Sequence, residues 1–427
     1  MLLEFSVENF LSFKEKTTFS MEASFKDDLT ENVANENGIN VLKTAAIYGS
    51  NASGKTNFIK AISSAVLMVR NSNYIGENGS WRRFITPFAF SKKTIKQPTR
   101  FWFTFIANNI RYNYYFSCDH RYIYEESLEA YYSQKPTLIF KRTNIENFEF
   151  NSDKKILEDI AKKNTKNKLF LATATTWNYE KTKDAFDWFY SKIETFFSFD
   201  LIKESDLMDY TNTESNLKEF AIKILNEADI QIRDINVSYK TINQSFGNIG
   251  FDGADPMNSS SNKLFKVDFI HTVEDEDGNK EEYLINISNE SEGTKCLFNL
   301  IPFLKRAFEN KSVLVIDELE RSLHPLLIEF LIKLFNNKKI NTFNSQLIFA
   351  THASNLLTLD LFRRDQIWFT EKNEKTGATD LYPLDSFSIR KDENILKGYL
   401  NGRYGAVPYI NDNILWQEES SILKRNL

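Results

Sequence analysis

The chain has 427 residues, 42% hydrophobic and 26% charged, with a formal net charge of −5. That length allows a large core and one or two domains, and the slight acidity excludes a wholly basic nucleic-acid binder while leaving room for a local basic groove. No apolar run is long enough to cross a bilayer, and the two cysteines, Cys118 and Cys296, are far apart without a C-x-x-C pair, which argues for a reducing cytosol rather than a disulfide scaffold.

In chain order, Leu3, Phe5 and Val7 alternate with Glu4, Ser6 and Glu8, which predicts a half-buried strand at the start. Met1 to Phe5 carries neither a basic stretch nor a cleavage site, so a signal peptide is not expected. A second extended run is expected near Thr17 to Met21, and a polar, acidic loop over Asp27 to Gly38. Thr44 to Tyr48 is short and apolar, as a buried strand should be, and Asn57 to Arg70 carries Phe58, Ile59, Ile62, Val66, Leu67 and Val69 at roughly helical spacing.

Between these two elements, Gly49, Ser50, Asn51, Ala52, Ser53, Gly54, Lys55 and Thr56 read G-x-x-x-x-G-K-T, a phosphate-binding P-loop. The glycines let backbone N–H groups curl inward toward phosphate oxygens, and the helix N-terminus adds partial positive charge. Lys55 is expected to reach the β- and γ-phosphates and the Thr56 hydroxyl to ligate Mg²⁺. Alone, the string also reads as a Gly/Ser turn; its strand-loop-helix context favours the first reading.

Trp81 to Arg142 reads as a β-meander, with strands at Phe101–Phe105, Ile110–Phe116, Tyr122–Tyr132 and Thr137–Lys141, and with hairpin turns at Asn108-Asn109 and Cys118-Asp119. Lys154 to Lys163 reads as a helix and Lys168 to Thr173 as a strand returning to the core. Asn178 to Asn226 is mostly helical in pattern, with Phe186, Phe189, Ile193 and Phe196-Phe197 on one face, but sustains no heptad seam. Ile232 to Tyr239 is expected as a strand, Gly247 to Asn262 as a mobile loop, and Lys263 to Val273 with Glu281 to Ile287 as a hairpin.

The apolar run Val313 to Ile316 ends in Asp317-Glu318. A buried parallel strand would deliver these acids where open α/β sheets bind ligands. Asp317 would then hold hydrated Mg²⁺ and Glu318 would polarise the attacking water. A buried strand ending in a solvated acidic turn is the competing reading of this stretch by itself. Glu290 to Lys295, containing Ser291 and Gly293, opens a helix about two dozen residues earlier, and a helix N-terminus of this kind can bind a γ-phosphate. Glu320-Arg321-Ser322-Leu323-His324-Pro325 follows the acids, and Gln346 to Ala350 is another apolar strand ending in Thr351-His352. A histidine there can sense a γ-phosphate by hydrogen bonding or serve structure alone.

In this order the motifs resemble the ABC-type ATPase head shared by RecF-, SMC- and OLD-like proteins. Ser291-Glu292-Gly293 stands at that family's Ser-Gly-Gly signature, with Glu292 where Gly is commoner. Ser322 to His324 stands at its D-loop and His352 at its switch histidine. No glutamine follows Leu169 to Thr173 closely, so a Gln-loop is not evident. The start Leu3 to Phe10 and the stretch Tyr399 to Pro408 further resemble a bacterial group of stand-alone, OLD-related ATPases that includes AbiL-type abortive-infection ATPases.

The resemblance implies an α/β fold: an ABC-ATPase-like head with a mixed central sheet, an antiparallel β lobe and an inserted helical lobe. Residues 1–75 would form the N-terminal part of the head, 76–150 the β lobe, 151–235 the helical insertion and 236–427 the C-terminal part of the head. It implies ATP and Mg²⁺ as ligands. It also implies a homodimer in which Ser291 and Gly293 of one head complete the P-loop site of another, with a higher oligomer left open. About 75 residues follow His352, shorter than a typical domain. Asp360, Asp365, Asp380 and Asp385 there read as loop caps and surface charges rather than a metal cluster. A Toprim-like effector protein in trans is therefore the partner the resemblance implies.

The leading expectation is a cytoplasmic Mg·ATP hydrolase controlling a partner effector in antiphage defence. The alternative is a RecF-like DNA-repair ATPase that clamps DNA. Arg82-Arg83, Lys92-Lys93, Lys162-Lys163 with Lys166 and Lys168, and Lys424-Arg425 form basic clusters, which ordinarily are solvated faces. A scaffold that binds ATP without turnover is a third reading, against which Glu318 argues. The absence of an N-K-x-D base-reading motif argues against a GTPase.

Overall fold

A computed structural model describes residues 1–24, 29–76, 79–197, 202–212, 214–243, 261–274, 277–390 and 393–408. Most of the predicted Gly247 to Asn262 loop and the Lys424-Arg425 pair lie outside the described residues. At the centre stands a six-stranded sheet. Its order is Ile193–Phe196, Val313–Ile316, Gln346–Ala350, Thr44–Tyr48, Ile367–Lys372, Thr379–Pro383. All neighbours run parallel except the last pair.

The central strands are buried on both faces, which is why they read as unbroken apolar runs. Ala45, Ile47, Val313, Val315, Ile348 and Ala350 face one core. Ala46, Tyr48, Leu314, Ile316, Leu347 and Phe349 face a second. The helix Lys55–Asn71 fills the first core, where its Phe58 ring meets Phe5, Phe13 and Phe19 at centroid distances of 5.7, 6.2 and 5.2 Å. Behind it lies a seven-stranded antiparallel sheet. This is the predicted meander, Thr99–Ala107, Ile110–Cys118, Ile123–Tyr131 and Thr137–Thr143, extended by Asn147–Glu149 on one side and by Leu2–Glu8 and Thr17–Ser20 on the other. The N-terminal strand pairs directly with Thr99–Ala107. The Gln346 amide fastens it to the central sheet, accepting from the Leu2 N–H at 2.7 Å and donating to the Leu2 carbonyl at 3.0 Å. The second core holds the helices Glu292–Asn310 and Pro325–Asn336. A three-stranded sheet, Asp234–Asn243, Ser261–Glu274 and Lys280–Asn286, leads into the first of these.

Four expectations are corrected. The loop expected over Asp27 to Gly38 contains a hairpin strand, Val33–Glu36, paired with Ile39–Leu42. Its turn is Asn37-Gly38, both at positive φ, as a two-residue I′ turn needs. Lys168 to Thr173 is not a strand: a helix runs from Phe170 to Thr176, because the buried Glu126 carboxylate accepts the N–H groups of Phe170 and Leu171 at 2.6 and 2.9 Å. Phe196 does not continue a helical face; Ile193–Phe196 is the edge strand of the central sheet. Asp365 is buried rather than a surface charge, paired with Arg363 at 2.8 Å and accepting from the Ser24 N–H at 2.9 Å. At Asp360 the cap is Thr358, whose hydroxyl accepts the Asp360 N–H at 3.2 Å and donates to its carboxylate at 3.3 Å. Among the described residues no cluster of three or more His, Cys, Asp and Glu side chains is arranged around a common point, and no helix is long and apolar enough to cross a membrane.

One buried cation gives the fold a pH signature. Lys43 is fully buried with its amine 3.3 Å from the Asn336 carbonyl. Burial, with Lys338 adding, lowers its pKa from 10.5 to about 8. The unfolded chain keeps that proton to about 10.5, so the cost of a buried charge is present below about 8 and is relieved as pH rises through this window. The Tm of the wild type should therefore rise relative to that of Lys43→Met between about pH 8 and 10. A constant difference across that range in calorimetry would contradict the burial of a charged amine.

Candidate functional site

The C-terminal ends of three adjacent parallel strands, Thr44–Tyr48, Gln346–Ala350 and Val313–Ile316, open at one edge of the central sheet. From the first emerges the loop 49–54 that leads into the helix Lys55–Asn71. Its two outer glycines answer to close neighbours. A Cβ on Gly49 would lie 2.4 Å from the Thr370 hydroxyl oxygen and 2.5 Å from that of Ser53. Gly54 has φ +121, and a Cβ there would lie 2.5 Å from the Thr379 hydroxyl. Ala52 takes a left-handed conformation, φ +61. The loop is tied down from outside: Ser53 and Thr370 hydroxyls lie 2.6 Å apart, and Thr379 donates to the Ser53 carbonyl at 2.8 Å. Ser50 is half-buried, whereas Asn51 and Ala52 are exposed at the mouth.

Lys55 is buried and folds back, donating to the carbonyls of Gly49 at 2.8 Å and Ser50 at 3.0 Å. Burial lowers its pKa to about 8, with Glu320, Asp317 and Glu318 pulling the other way. Asp317 is buried beside it. Burial pushes its carboxyl up, the neighbouring Thr56 hydroxyl pulls it down, and Glu318 adds to the rise. Its Oδ1 is buried without a hydrogen-bond partner, an orphan of the kind that a cation or water satisfies. Glu318 is exposed and sits at φ +52, unusual for a residue with a Cβ. Its carbonyl accepts the Arg321 N–H at 2.9 Å.

His352 follows the middle strand. Its Nδ1 lies 3.5 Å from the Lys55 ammonium. Burial and then the Lys55 charge hold its pKa below 6.5, so the ring is neutral at pH 7 and can offer one N–H. Ser291 is the N-cap of the helix Glu292–Asn310, its hydroxyl accepting the Thr294 N–H at 3.1 Å. A Cβ on Gly293 would lie 3.0 Å from the Ser322 carbonyl, so the turn that opens this helix packs on the turn after the acidic strand. Among the described residues, no hydrogen bond of Ser291 or Gly293 reaches residues 49–56.

Lys55, Thr56, Asp317, Glu318 and His352 are thus brought together, whereas Gly293 packs beside Ser322. Sequence reasoning missed several supports. Thr370, Thr379 and Ser12 brace the loop, and nothing in their local sequence marks them. Glu320 accepts the main-chain N–H of His352. His324 is the N-cap of the helix Pro325–Asn336, with Pro325 at its first turn, and a capping residue followed by proline ahead of an apolar run is the signal that would have found it. The Tyr399 to Pro408 stretch lies against the loop: Ala406, Val407 and Pro408 share a cleft of about 750 Å3 with Ser50 and Asn51. Its shape is set locally, since a Cβ on Gly398 would strike the Tyr404 ring at 2.7–2.9 Å.

A P-loop and an acidic strand end on one parallel sheet, with the capped helix Glu292–Asn310 and an antiparallel lobe, make up an ABC-ATPase-like P-loop fold. The chain belongs to the family described as "AAA domain, putative AbiEii toxin, Type IV TA system", which matches residues 45–358. The chain is also similar to the SMC head domain from Thermotoga maritima, at 13% identity over 90% of this chain and 98% of that one, with a TM-score of 0.42. A second similar structure is the Smc head domain of Pyrococcus furiosus with an extended coiled coil, bound to the C-terminal domain of ScpA. It is 12% identical over 90% of this chain and 96% of that one, with a TM-score of 0.39. No curated protein matches the chain.

Proposed function

We propose that the protein is a Mg²⁺-dependent ATP-hydrolysing switch whose heads dimerise around ATP, and that it serves as the cytoplasmic ATPase component of an abortive-infection system governing a partner effector. The observation that carries the reading is the convergence of Lys55, Thr56–Asp317 and His352 at three adjacent strand ends, with the Asp317 Oδ1 left unpaired.

On this reading residues 49–54 cradle the phosphates with main-chain N–H groups. Lys55 exchanges the Gly49 and Ser50 carbonyls for phosphate oxygens. Thr56 and Asp317 are the residues that would hold Mg²⁺, and the donor set of one hydroxyl and one carboxylate, plus waters, fits that ion. When bound, Mg²⁺ neutralises phosphate charge in the transition state. Glu318 orients the attacking water, and neutral His352 donates to the γ-phosphate. Among the described residues no hydrogen bond joins Ser291 or Gly293 to the loop of their own chain, and on this reading they cover the phosphates of a second copy. The effector, and its Toprim-like character, rest on resemblance to AbiL-type ATPases. In the basic cluster offered to a DNA clamp, Lys162 and Lys166 are already matched by Asp159 at 2.9 Å and Glu146 at 3.1 Å.

The test is ATP titration and phosphate release with and without Mg²⁺, for wild type and Lys55→Ala. Wild type should bind and hydrolyse ATP only with Mg²⁺, and Lys55→Ala should lose about 100-fold or more in turnover, the scale set by losing one phosphate clamp. A wild type that fails to bind ATP would sink the switch; binding without turnover would leave a scaffold.

A further inference from the structure

Glu320 lies two residues beyond Glu318, and no motif marks it. Its Oε1 accepts the main-chain N–H of His352, 32 residues away. The next residue back makes a parallel link, the Leu319 N–H donating to the Ala350 carbonyl at 3.2 Å. Together these bonds staple the turn after Val313–Ile316 to the turn after Gln346–Ala350. The second carboxylate oxygen, Oε2, is buried without a partner. So is the hydroxyl of Tyr48, at the end of the third strand. Glu320 is also the carboxylate that most offsets burial at Lys55, ahead of Asp317 and Glu318, and the charge that most strengthens the rise at Tyr48. By its bonds the Glu320 turn joins two of the three strand ends, those of Val313–Ile316 and Gln346–Ala350.

We propose that Glu320 is a positioning residue of the hydrolysis site: its carboxylate holds the His352 main chain, and with it the imidazole, in register with Lys55 and the acidic turn. This rests on the ATPase reading given above. The physical case is that His352 leaves its strand on a turn that lacks a ladder partner at its own N–H. That N–H needs an acceptor, and a charged acceptor makes a stronger bond than a neutral one. A side chain that must meet a γ-phosphate tolerates little misplacement, and errors of about 1 Å cost on the order of 100-fold. The buried Oε2 has no protein partner, so the bond to the His352 N–H is the tie that this carboxylate makes through its other oxygen.

The experiment compares wild type, Glu320→Ala and Glu320→Gln in steady-state ATP hydrolysis, with hydrogen–deuterium exchange at the His352 amide in nucleotide-free protein. Glu320→Ala should lower kcat about 10- to 100-fold with KM within about 2-fold, and should speed exchange at His352. Glu320→Gln keeps an acceptor oxygen, so it should restore slow exchange and most of kcat. Unchanged exchange in Glu320→Ala, or unchanged kcat in an active protein, overturns the assignment. So does a Glu320→Gln variant as impaired as Glu320→Ala, which would make the charge rather than the bond decisive. Inactivity of the wild type is a failure of the ATPase reading, visible without any variant, and the exchange result still decides whether Glu320 holds His352.

Discussion

Glu318→Gln is expected to lower ATP turnover about 10²- to 10⁴-fold, the usual range for losing a general base, while leaving ATP binding intact. The side chain is exposed at the strand end, free of hydrogen bonds that the substitution could break among the described residues. Its backbone strain at φ +52 is common to Glu and Gln. The change also removes a negative charge that pushes the Asp317 carboxyl upward, so the ionised Asp317 is favoured and affinity for a bound cation should not fall. With hydrolysis blocked and binding retained, ATP would persist between heads. If Ser291 and Gly293 cover a second copy's phosphates, a dimer must accumulate. Phosphate release and light scattering on the same samples decide the matter. Turnover at the wild-type rate removes Glu318 as the base. A turnover-dead protein that stays monomeric with ATP removes the sandwich but keeps the base.

The nucleotide half of this site was legible because its signals are local. A strand, a glycine-rich turn and a helix follow one another within about 30 residues, and the acids and His352 each end a buried parallel strand, which writes itself as an apolar run. What was illegible depends on distant partners. Leu169 to Thr173 is apolar enough for strand or helix, and the choice is made by Glu126, more than 40 residues away, which caps the helix start. Phe196-Phe197 continued a helical period, yet parallel pairing with Ile316 claims Phe196 for the sheet. The motif glycines announce a turn but not why they must be glycine; Thr370 and Thr379 supply the reason through tertiary approach. The Asn37-Gly38 hairpin was legible and overlooked, since that dipeptide is the strongest short signal for such a turn.

The largest loss of stability is expected at Glu126→Ala. Glu126 sits on the strand Ile123–Tyr131 with its side chain fully buried. One carboxylate accepts the Phe170 and Leu171 N–H groups and the Tyr114 hydroxyl at 2.9 Å, and it lies 4.0 Å from the Arg142 guanidinium. Burial pushes its carboxyl up; Arg142 and the bonded donors hold it down. Alanine would strand two amides at a helix start, a phenol, and a buried cation. Arg142 keeps its bonds to the carbonyls of Lys168 at 2.7 Å and Lys166 at 3.1 Å, but loses its main counter-charge, leaving the weaker pull of Glu146. Breaking a buried pair from one side costs about 3–5 kcal/mol, a large share of the about 5–15 kcal/mol that holds a domain folded. Glu126→Gln, which keeps one acceptor oxygen but neither the second nor the charge, should cost less than alanine. The released helix is tied to the far end of the P-loop helix through the bond from the Leu169 N–H to the Ser72 hydroxyl at 2.8 Å. Loosening should therefore reach the Lys55–Asn71 helix from its C-terminal end. Urea unfolding of the three proteins tests this through the midpoint at constant m. A shift worth less than about 1 kcal/mol, the value of one ordinary hydrogen bond, would mean that the helix start and Arg142 find other partners when the carboxylate is gone.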